Sequence, residues 1–202
     1  MNQLCTIRKL GTLFVAVIAS GLTSGCAPQL GVRLQVPSII EPARSEAVEA
    51  NGEPVRVRVG SFIDARPDDT LAVIDGRSLP PDGSVAGAVQ EGLENYLRKA
   101  GANVVLFNAP SVEGEIIAWR VKIAPNFPAT EATATAKLKV EVRGSGARVL
   151  YRAFYSGEAT SKHPFPSEDG MRKLLGDAMG SALEEVINDV NFVGALSSEP
   201  RG

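Results

Sequence analysis

A mostly antiparallel sheet of about four to five strands, with two helices packed on one face, is the α+β fold that this sequence predicts. Apolar and polar residues alternate along residues 55–59 and 134–143, which is typical of strands with one buried face. Apolar residues recur at helical spacing along residues 85–97 and 171–190. The patterns follow the order strand, helix, several strands, helix, and this order indicates an α+β sandwich.

The first half of the predicted domain runs from the strand at residues 55–59 to a helix. Pro67 ends the strand region, because proline donates no ladder hydrogen bond and restricts the residue before it. Residues 71–79 are centred on an Asp-Gly dipeptide, which suits a tight turn and predicts a small hairpin or an ordered loop. Ser84 is a candidate N-cap and Gly101 a candidate C-terminal stop, so the first helix is expected between them.

The second half is predicted to hold four strands and a long closing helix. The strands are expected at residues 103–107, 112–123, 134–143 and 149–157. The last two are separated by Gly144-Ser145-Gly146 and therefore predict an antiparallel hairpin. In the longer strand before them, one face is expected to hold Ile117, Trp119, Val121 and Ile123. Ser167, followed by Glu168 and Asp169, is a favourable helix start, because acids near an N-terminus complement the helix dipole.

Cys26 follows a segment with the features of a bacterial secretion signal. Arg8 and Lys9 precede the apolar residues 10–18, a length close to the ~7–15 residues of a signal core and short of the ~20 that a spanning helix needs. Small residues then lead to the cysteine. The segment resembles the lipobox of bacterial lipoproteins, in which the cysteine is diacylated, although Thr23 stands where lipoproteins prefer leucine. An ordinary cleaved signal with an incidental cysteine is the alternative.

The predicted organisation has four parts. They are a lipoprotein signal peptide at residues 1–25, an extended tether at 26–53, a single α+β periplasmic domain at 54–196 and a disordered tail at 197–202. By resemblance to lipoprotein sorting rules, Ala27 rather than Asp after the cysteine implies the outer membrane, with the domain facing the periplasm.

Composition excludes several kinds of chemistry. Cys26 is the only cysteine of the mature chain, and acylation would consume it, so no disulfide, thiolate nucleophile or cysteine-bound metal is expected. The covalent acyl group is the only prosthetic group predicted, and no other cofactor is expected. With 21 Lys and Arg against 23 Asp and Glu, the chain lacks the basic footprint of a nucleic-acid-binding protein.

Several short segments, with the lipobox and the long closing helix, carry a family resemblance. They are Asp64-Ala65-Arg66, Val112-Glu113-Gly114-Glu115-Ile116 and Tyr151-Arg152-Ala153. Together they resemble the YajG family of uncharacterised outer-membrane lipoproteins over nearly the whole chain. The resemblance implies a non-enzymatic envelope protein and supplies no catalytic residue. The element order is also similar to that of other small periplasmic lipoproteins, including the lipopolysaccharide-assembly lipoprotein.

No catalytic or metal-binding constellation is predicted. His163 is the only histidine and has no second imidazole or paired base. Asp68, Asp69 and Asp75 lack the regular ligand spacing of a calcium loop. Asp64 and Arg66 are two residues apart at a strand end, so they predict a structural ion pair, or alternatively a grip on an anionic group.

The polar face of the predicted sheet is expected to be basic and is the candidate partner-binding surface. It would carry Arg56, Arg58, Arg120, Lys122, Lys137 and Lys139, together with Arg143 and Arg152. Such a face could dock an acidic protein, anionic lipid headgroups or a polyanionic glycan, or could simply be the wet side of an antiparallel sheet. Phe127 and Phe165 lie in proline-stiffened loops and are candidate partner or membrane contacts, or side chains that fold back onto the core.

These observations predict a lipid-anchored, non-catalytic periplasmic lipoprotein that binds or scaffolds an envelope protein, lipid or glycan. One alternative is an accessory subunit of a lipid or lipopolysaccharide transport or assembly machine, for which an apolar pocket between helices and sheet would be the discriminating feature. A second alternative is an enzyme, which the lack of a nucleophile, paired base or metal set disfavours.

Overall fold

The computed structural model describes residues 33–39, 49–50, 53–74, 76–126, 129–163 and 167–198. Its three helices are α1 (Val85–Lys99), α2 (Glu168–Asn188) and α3 (Val190–Ser197). Its strands are β1 (Leu34–Gln35), β2 (Glu49–Ala50), β3 (Glu53–Pro54), β4 (Arg56–Asp64), β5 (Ala72–Ile74), β6 (Arg77–Leu79), β7 (Pro81–Asp82), β8 (Asn103–Val104), β9 (Ser111–Asn126), β10 (Ala129–Arg143) and β11 (Val149–His163). The predicted signal peptide, Cys26, Phe127 and Phe165 lie outside the described residues.

Seven of the described strands form one mixed sheet. Its strand order is β11-β10-β9-β4-β8, and β5 pairs with β9 beyond the end of β4 while β6 pairs with β5. The ladders β9–β10, β10–β11 and β5–β6 are antiparallel, whereas β4–β8, β4–β9 and β5–β9 are parallel. The predicted sheet of four to five mostly antiparallel strands therefore had too few strands, and its parallel pairings were not predicted. The reason is that α1 carries the chain back after β4, so the next strands run parallel to it.

The closing helix is two helices rather than one. Asp189 has extended backbone angles (φ −77°, ψ 110°) and separates α2 from α3. Its side chain accepts a hydrogen bond from the Asn191 amide at 2.8 Å, which caps α3. The predicted N-caps of the other helices are present, since Ser84 and Ser167 accept from the amides of Gly87 and Gly170 at 3.0 Å.

The core lies between the sheet and the helices. Trp119 on β9 is fully buried, and its indole N–H donates to the Leu175 carbonyl of α2 at 2.9 Å. At Gly157 the backbone of α2 lies directly against β11, because a Cβ added there would come within 2.0 Å of the Ala178 carbonyl oxygen. Next to it, the Ser156 amide donates to the Glu185 carboxylate of α2 at 3.0 Å. Helix α2 therefore lies close along the middle of the edge strand β11.

A β-bulge in β9 changes which residues face the core. Leu138 of β10 is opposite Ile116, and Lys137 is opposite Ala118, so Ile117 is an extra residue. Ile116 is buried before the bulge and Trp119 after it. The predicted shared face was thus wrong at Ile117 but held for Trp119 and Val121, both of which are buried.

The first described residues pack on the domain. β1 pairs with β7, and Leu34 is 0% exposed within the hydrophobic core. Gln35 accepts a hydrogen bond from Arg172 of α2 at 2.7 Å. The stretch predicted as an extended tether, residues 26–53, therefore includes a segment that belongs to the core.

Candidate binding surface

The side of the sheet that faces away from the helices is the outer face, and it has two different halves. We call the end of the sheet where β9 ends and α2 begins the proximal end, because Gln35 is held there by Arg172. The distal end is where β9 begins at Ser111 and β10 ends at Arg143. Alternation along β10 places Lys137, Lys139 and Glu141 on the outer face, opposite the buried Leu138 and Val140.

In the distal half, an ion-pair network surrounds Glu141, which is only 6% exposed. Its carboxylate lies 3.4 Å from Lys139, 2.6 Å from Arg143 and 2.7 Å from Arg152. Two further acids extend the network, since Glu115 lies 2.7 Å from Lys139 and Glu113 lies 3.1 Å from Arg143. Three cations therefore meet three carboxylates, and the network itself is neutral rather than basic.

The network shifts the pKa values of Glu141 and Lys139. Burial alone would raise the pKa of Glu141, but hydrogen bonds from Lys139 and Arg152 outweigh it and hold the pKa below its ordinary value. The pKa of Lys139 is raised, first by its hydrogen bond to Glu115. Both shifts favour the charged forms of Glu141 and Lys139.

Three other predicted cations form a separate group in the proximal half. Arg120, Lys122 and Lys137 are exposed, and none has a hydrogen bond or ion pair within the described part of the chain. We call these three residues the cationic patch. Arg120 and Lys122 lie opposite Thr135 and Thr133 of β10, and Lys137 lies opposite Ala118 of β9.

Arg56 and Arg58 lie on β4 at the distal end, next to an exposed apolar loop. Both are exposed and have no ion-pair partner among the described residues. The loop holds Leu106 (78% exposed) and Phe107 (74% exposed). The base of the loop is fixed to β4, because the Val105 amide donates to the Val57 carbonyl and the Arg58 amide donates to the Pro110 carbonyl, each at 2.9 Å.

The Leu106–Phe107 loop was missed by the sequence analysis. Residues 103–107 were predicted as a strand, but β8 contains only Asn103 and Val104. The available signal was Pro110, two residues after Asn108, whose φ of 55° turns the chain. Apolar residues that continue past the end of a strand cannot be distinguished from the strand by their pattern alone.

Asp64 and Arg66 form an ion pair with two contacts, Nε to Oδ1 at 2.7 Å and Nη2 to Oδ2 at 2.8 Å. The Arg66 hydrogen bond lowers the pKa of Asp64 below its ordinary value. Arg66 also donates to the Trp119 carbonyl at 3.3 Å, in the gap between the end of β4 and the start of β5. This pair therefore serves the sheet itself, where a backbone carbonyl beside the bulge lacks a strand partner.

A second polar group joins β11 to the helices. The hydroxyls of Tyr151 and Tyr155 donate to Oδ2 of Asp189 at 2.5 and 2.8 Å. Burial would raise the pKa of Asp189, but these hydrogen bonds outweigh it and lower the value, and the bond to Asp189 raises the pKa of Tyr151. The group lies at the helix cap and has a structural role.

Within the ranges that the structure describes, no cluster of three or more His, Cys, Asp or Glu could hold a metal ion. In the same ranges, no helix is both long and apolar enough to cross a membrane. Phe127 and Phe165 remain predicted contacts.

The fold is thus an α+β domain with one helix-covered and one uncovered sheet face. No family model matches the chain, and no curated protein matches it. Among solved structures it is similar to protein XCC0632 of Xanthomonas campestris, from the DUF330 family, with a TM-score of 0.55 and 11% identity over 80% of this chain and 99% of that one. At this identity the likeness shows a shared fold.

Weaker likenesses extend to other bacterial proteins. A minor lipoprotein of Acinetobacter baumannii has a TM-score of 0.44 at 8% identity and covers 68% of this chain and 90% of its own. The hypothetical protein CT253 of Chlamydia trachomatis has a TM-score of 0.44 at 11% identity, covering 70% and 99%. The neighbours thus include bacterial lipoproteins, while the resemblance to the YajG family in particular stays a prediction.

Proposed function

We propose that this protein is a lipid-anchored, non-catalytic binding module of the bacterial envelope, related to the YajG-type lipoproteins. Its lipid is attached at Cys26, and its domain faces the periplasm at the outer membrane. The observation that carries the binding role is the Leu106–Phe107 loop beside Arg56 and Arg58.

The composition of this site suits protein recognition. Aromatic residues and arginines contribute most of the binding free energy at protein interfaces, where they are desolvated in the centre of the contact. Phe107 supplies the aromatic group and Arg58 the charge, and both are solvent-exposed in the described structure. The loop base is held by backbone hydrogen bonds to β4, so less conformational entropy is lost on binding. A partner with carboxylates beside an apolar pocket fits this site.

The position of the site also supports the proposal. The segment that leads from Cys26 enters the domain at the proximal end, through Leu34 and Gln35. The Leu106–Phe107 loop lies at the distal end, beside the start of β9. An anchored domain would therefore present this loop away from its attachment point.

The transport-subunit alternative depends on an apolar pocket between helices and sheet. In the described residues this layer is filled by fully buried side chains, including Trp119, Met179 and Phe192. At Gly157 the backbones of α2 and β11 are in direct contact. These observations favour a binding surface over an internal lipid cavity.

The binding role is tested by crosslinking in the native envelope. A photoreactive phenylalanine analogue at position 107 should give a discrete crosslinked product, whereas the analogue at Val73, which is 48% exposed near the proximal end, should not. Arg58→Glu should reduce the product about tenfold, because it removes a central charge. Arg148→Glu, the same charge reversal on an exposed turn, is the matched control. A product that is unaffected by Arg58→Glu would refute the site.

The anchor is tested separately by Cys26→Ser. Loss of the acylated sulfur should move the protein from the membrane fraction to a soluble or unprocessed form, and metabolic labelling with palmitate should disappear. If lipid labelling and fractionation were unchanged in the variant, the anchor would be wrong, whatever the crosslinking shows.

A further inference from the structure

We propose that the cationic patch of Arg120, Lys122 and Lys137 binds the phosphate groups of anionic phospholipids in the membrane that holds the lipid on Cys26. The inference rests on the lipid anchor proposed above, but it concerns a different surface from the Leu106–Phe107 loop. It adds a second, electrostatic contact between the domain and the bilayer.

The first argument is the length of chain between the anchor and the domain. Leu34 is fixed in the core, and only seven residues separate it from Cys26. Fully extended, they span roughly 25–30 Å. A domain of this size is about 40 Å across. The connection is therefore shorter than the domain, and it keeps the point where the chain enters the domain within roughly 30 Å of the bilayer.

The second argument is where this connection enters. Residues 33–39 dock at the proximal end, where α2 begins. Arg120 and Lys122 lie in the proximal half of β9, beyond the bulge at Ile117. The cationic patch is thus in the half of the outer face that a short anchor brings towards the bilayer, and the neutral ion-pair network is in the other half.

The third argument is charge. The three cations of the patch have no partner among the described residues. One exposed acid, Glu158, lies opposite Thr135 on the same face, while Lys162 is 3.9 Å from Glu131 and forms a separate pair. The patch keeps a net charge of about +2. Near an anionic surface, each such charge strengthens attachment about fivefold.

The chemistry of the surroundings favours lipid phosphates over a protein partner. Thr135 lies beside Arg120, and Thr133, which shares a hydrogen bond of 3.3 Å with Thr160, lies beside Lys122, so hydroxyl groups next to the cations can donate hydrogen bonds to phosphate oxygens. The three patch residues carry charge without an aromatic group, and the exposed Phe154 lies opposite Lys139, outside the patch. An attraction to many identical phosphates requires no shaped pocket.

The test uses the lipidated protein in vesicles of pure phosphatidylcholine or of phosphatidylcholine with about one third phosphatidylglycerol. Lysines are acylated with a water-soluble reagent, and the rate at each lysine is measured by mass spectrometry. Lys122 and Lys137 should react about fivefold more slowly in the anionic vesicles. Lys99, exposed where α1 ends near β8 at the distal end, is the internal control and should react equally in both. About 1 M salt should abolish the protection, because it shortens the screening length to roughly 3 Å.

Arg120→Gln keeps both lysine reporters and should remove most of their protection, whereas Arg148→Gln, an equal charge loss on the turn before β11, should leave it intact. Equal rates in the two vesicle types, or protection in both alike, would overturn the proposal. So would protection that requires added envelope protein or glycan. A failed anchor is distinguishable, because the protein would then not float with either kind of vesicle.

Discussion

The two faces of this sheet are built from alternate residues of the same strands, yet they are organised differently. On the helix-covered face, buried side chains and glycines fit the helices closely, as at Trp119 and Gly157. On the outer face, a neutral ion-pair network around Glu141 lies beside a patch of cations that have no partner among the described residues. The contrast teaches that the packing of the covered face depends on how closely its residues fit the helices. The net charge of the uncovered face depends instead on which residues the strand register brings together.

On the covered face, the largest loss of stability is expected from a substitution at Gly157. Gly157→Ala should lower the free energy of unfolding by about 3 kcal/mol, because the new Cβ would overlap the backbone of α2, which cannot move independently of the core. Urea denaturation followed by the fluorescence of Trp119, the single tryptophan, measures this change.

The matched control is Gly194→Ala in α3, where a new Cβ would meet no atom within 4 Å. Alanine is the better helix former there, so this variant should be more stable by about 0.5–1 kcal/mol. If the two variants behaved alike, the contact between α2 and β11 would not be as close as described.

On the outer face, the largest loss of stability is expected when Glu141 is replaced. Glu141→Gln should cost about 2 kcal/mol at neutral pH, because it removes charged hydrogen bonds from Lys139 and Arg152 at a nearly buried position. The folded pKa of Glu141 lies below its ordinary value of 4.5, so this stabilisation is present above pH 4.5 and is lost as the pH falls through the folded pKa. Urea titrations at a series of pH values measure the difference between the proteins.

Glu158→Gln provides the comparison for this effect. Glu158 lies on the same face but is exposed, so its replacement should change the free energy of unfolding by less than about 0.5 kcal/mol. If the loss of unfolding free energy in Glu141→Gln were the same in acid as at neutral pH, side-chain packing rather than charge would stabilise the network.

The smallest effects should separate the two halves of the outer face. Lys137→Gln should leave stability within about 0.5 kcal/mol of the parent, because Lys137 has no partner in the described structure. Lys139→Gln, two residues along the same strand, should be measurably less stable, since it loses Glu115 and Glu141. Equal stability of the two variants would contradict the division of the face.

Local patterns predicted the covered face well and the outer face only in part. The helix starts at Ser84 and Ser167 and the alternation of β10 are local signals, and the structure confirms them. The bulge at Ile117 leaves no mark in composition, because it is one extra residue among apolar neighbours. The order strand, helix, strand is typical of parallel strand pairing, but this pairing was not predicted.

The basic character of the outer face was overestimated for a different reason. The neutralising acids Glu113 and Glu115 lie on a neighbouring strand, and only the register of β9 against β10 brings them to Arg143 and Lys139. Register depends on tertiary packing, which single-strand patterns do not contain. The break at Asp189 was also hidden, because the apolar spacing continues across it.

The contact of α2 with β11 has a consequence for aggregation. β11 is an edge strand of 15 residues, long enough to template the addition of a strand from another molecule. Glu185 already accepts the Ser156 amide hydrogen, so the free edge is interrupted near its middle. What remains are short stretches, which are poor templates for intermolecular strand pairing. The close approach of α2 that Gly157 permits thereby also brings Glu185 to the free edge of a long strand.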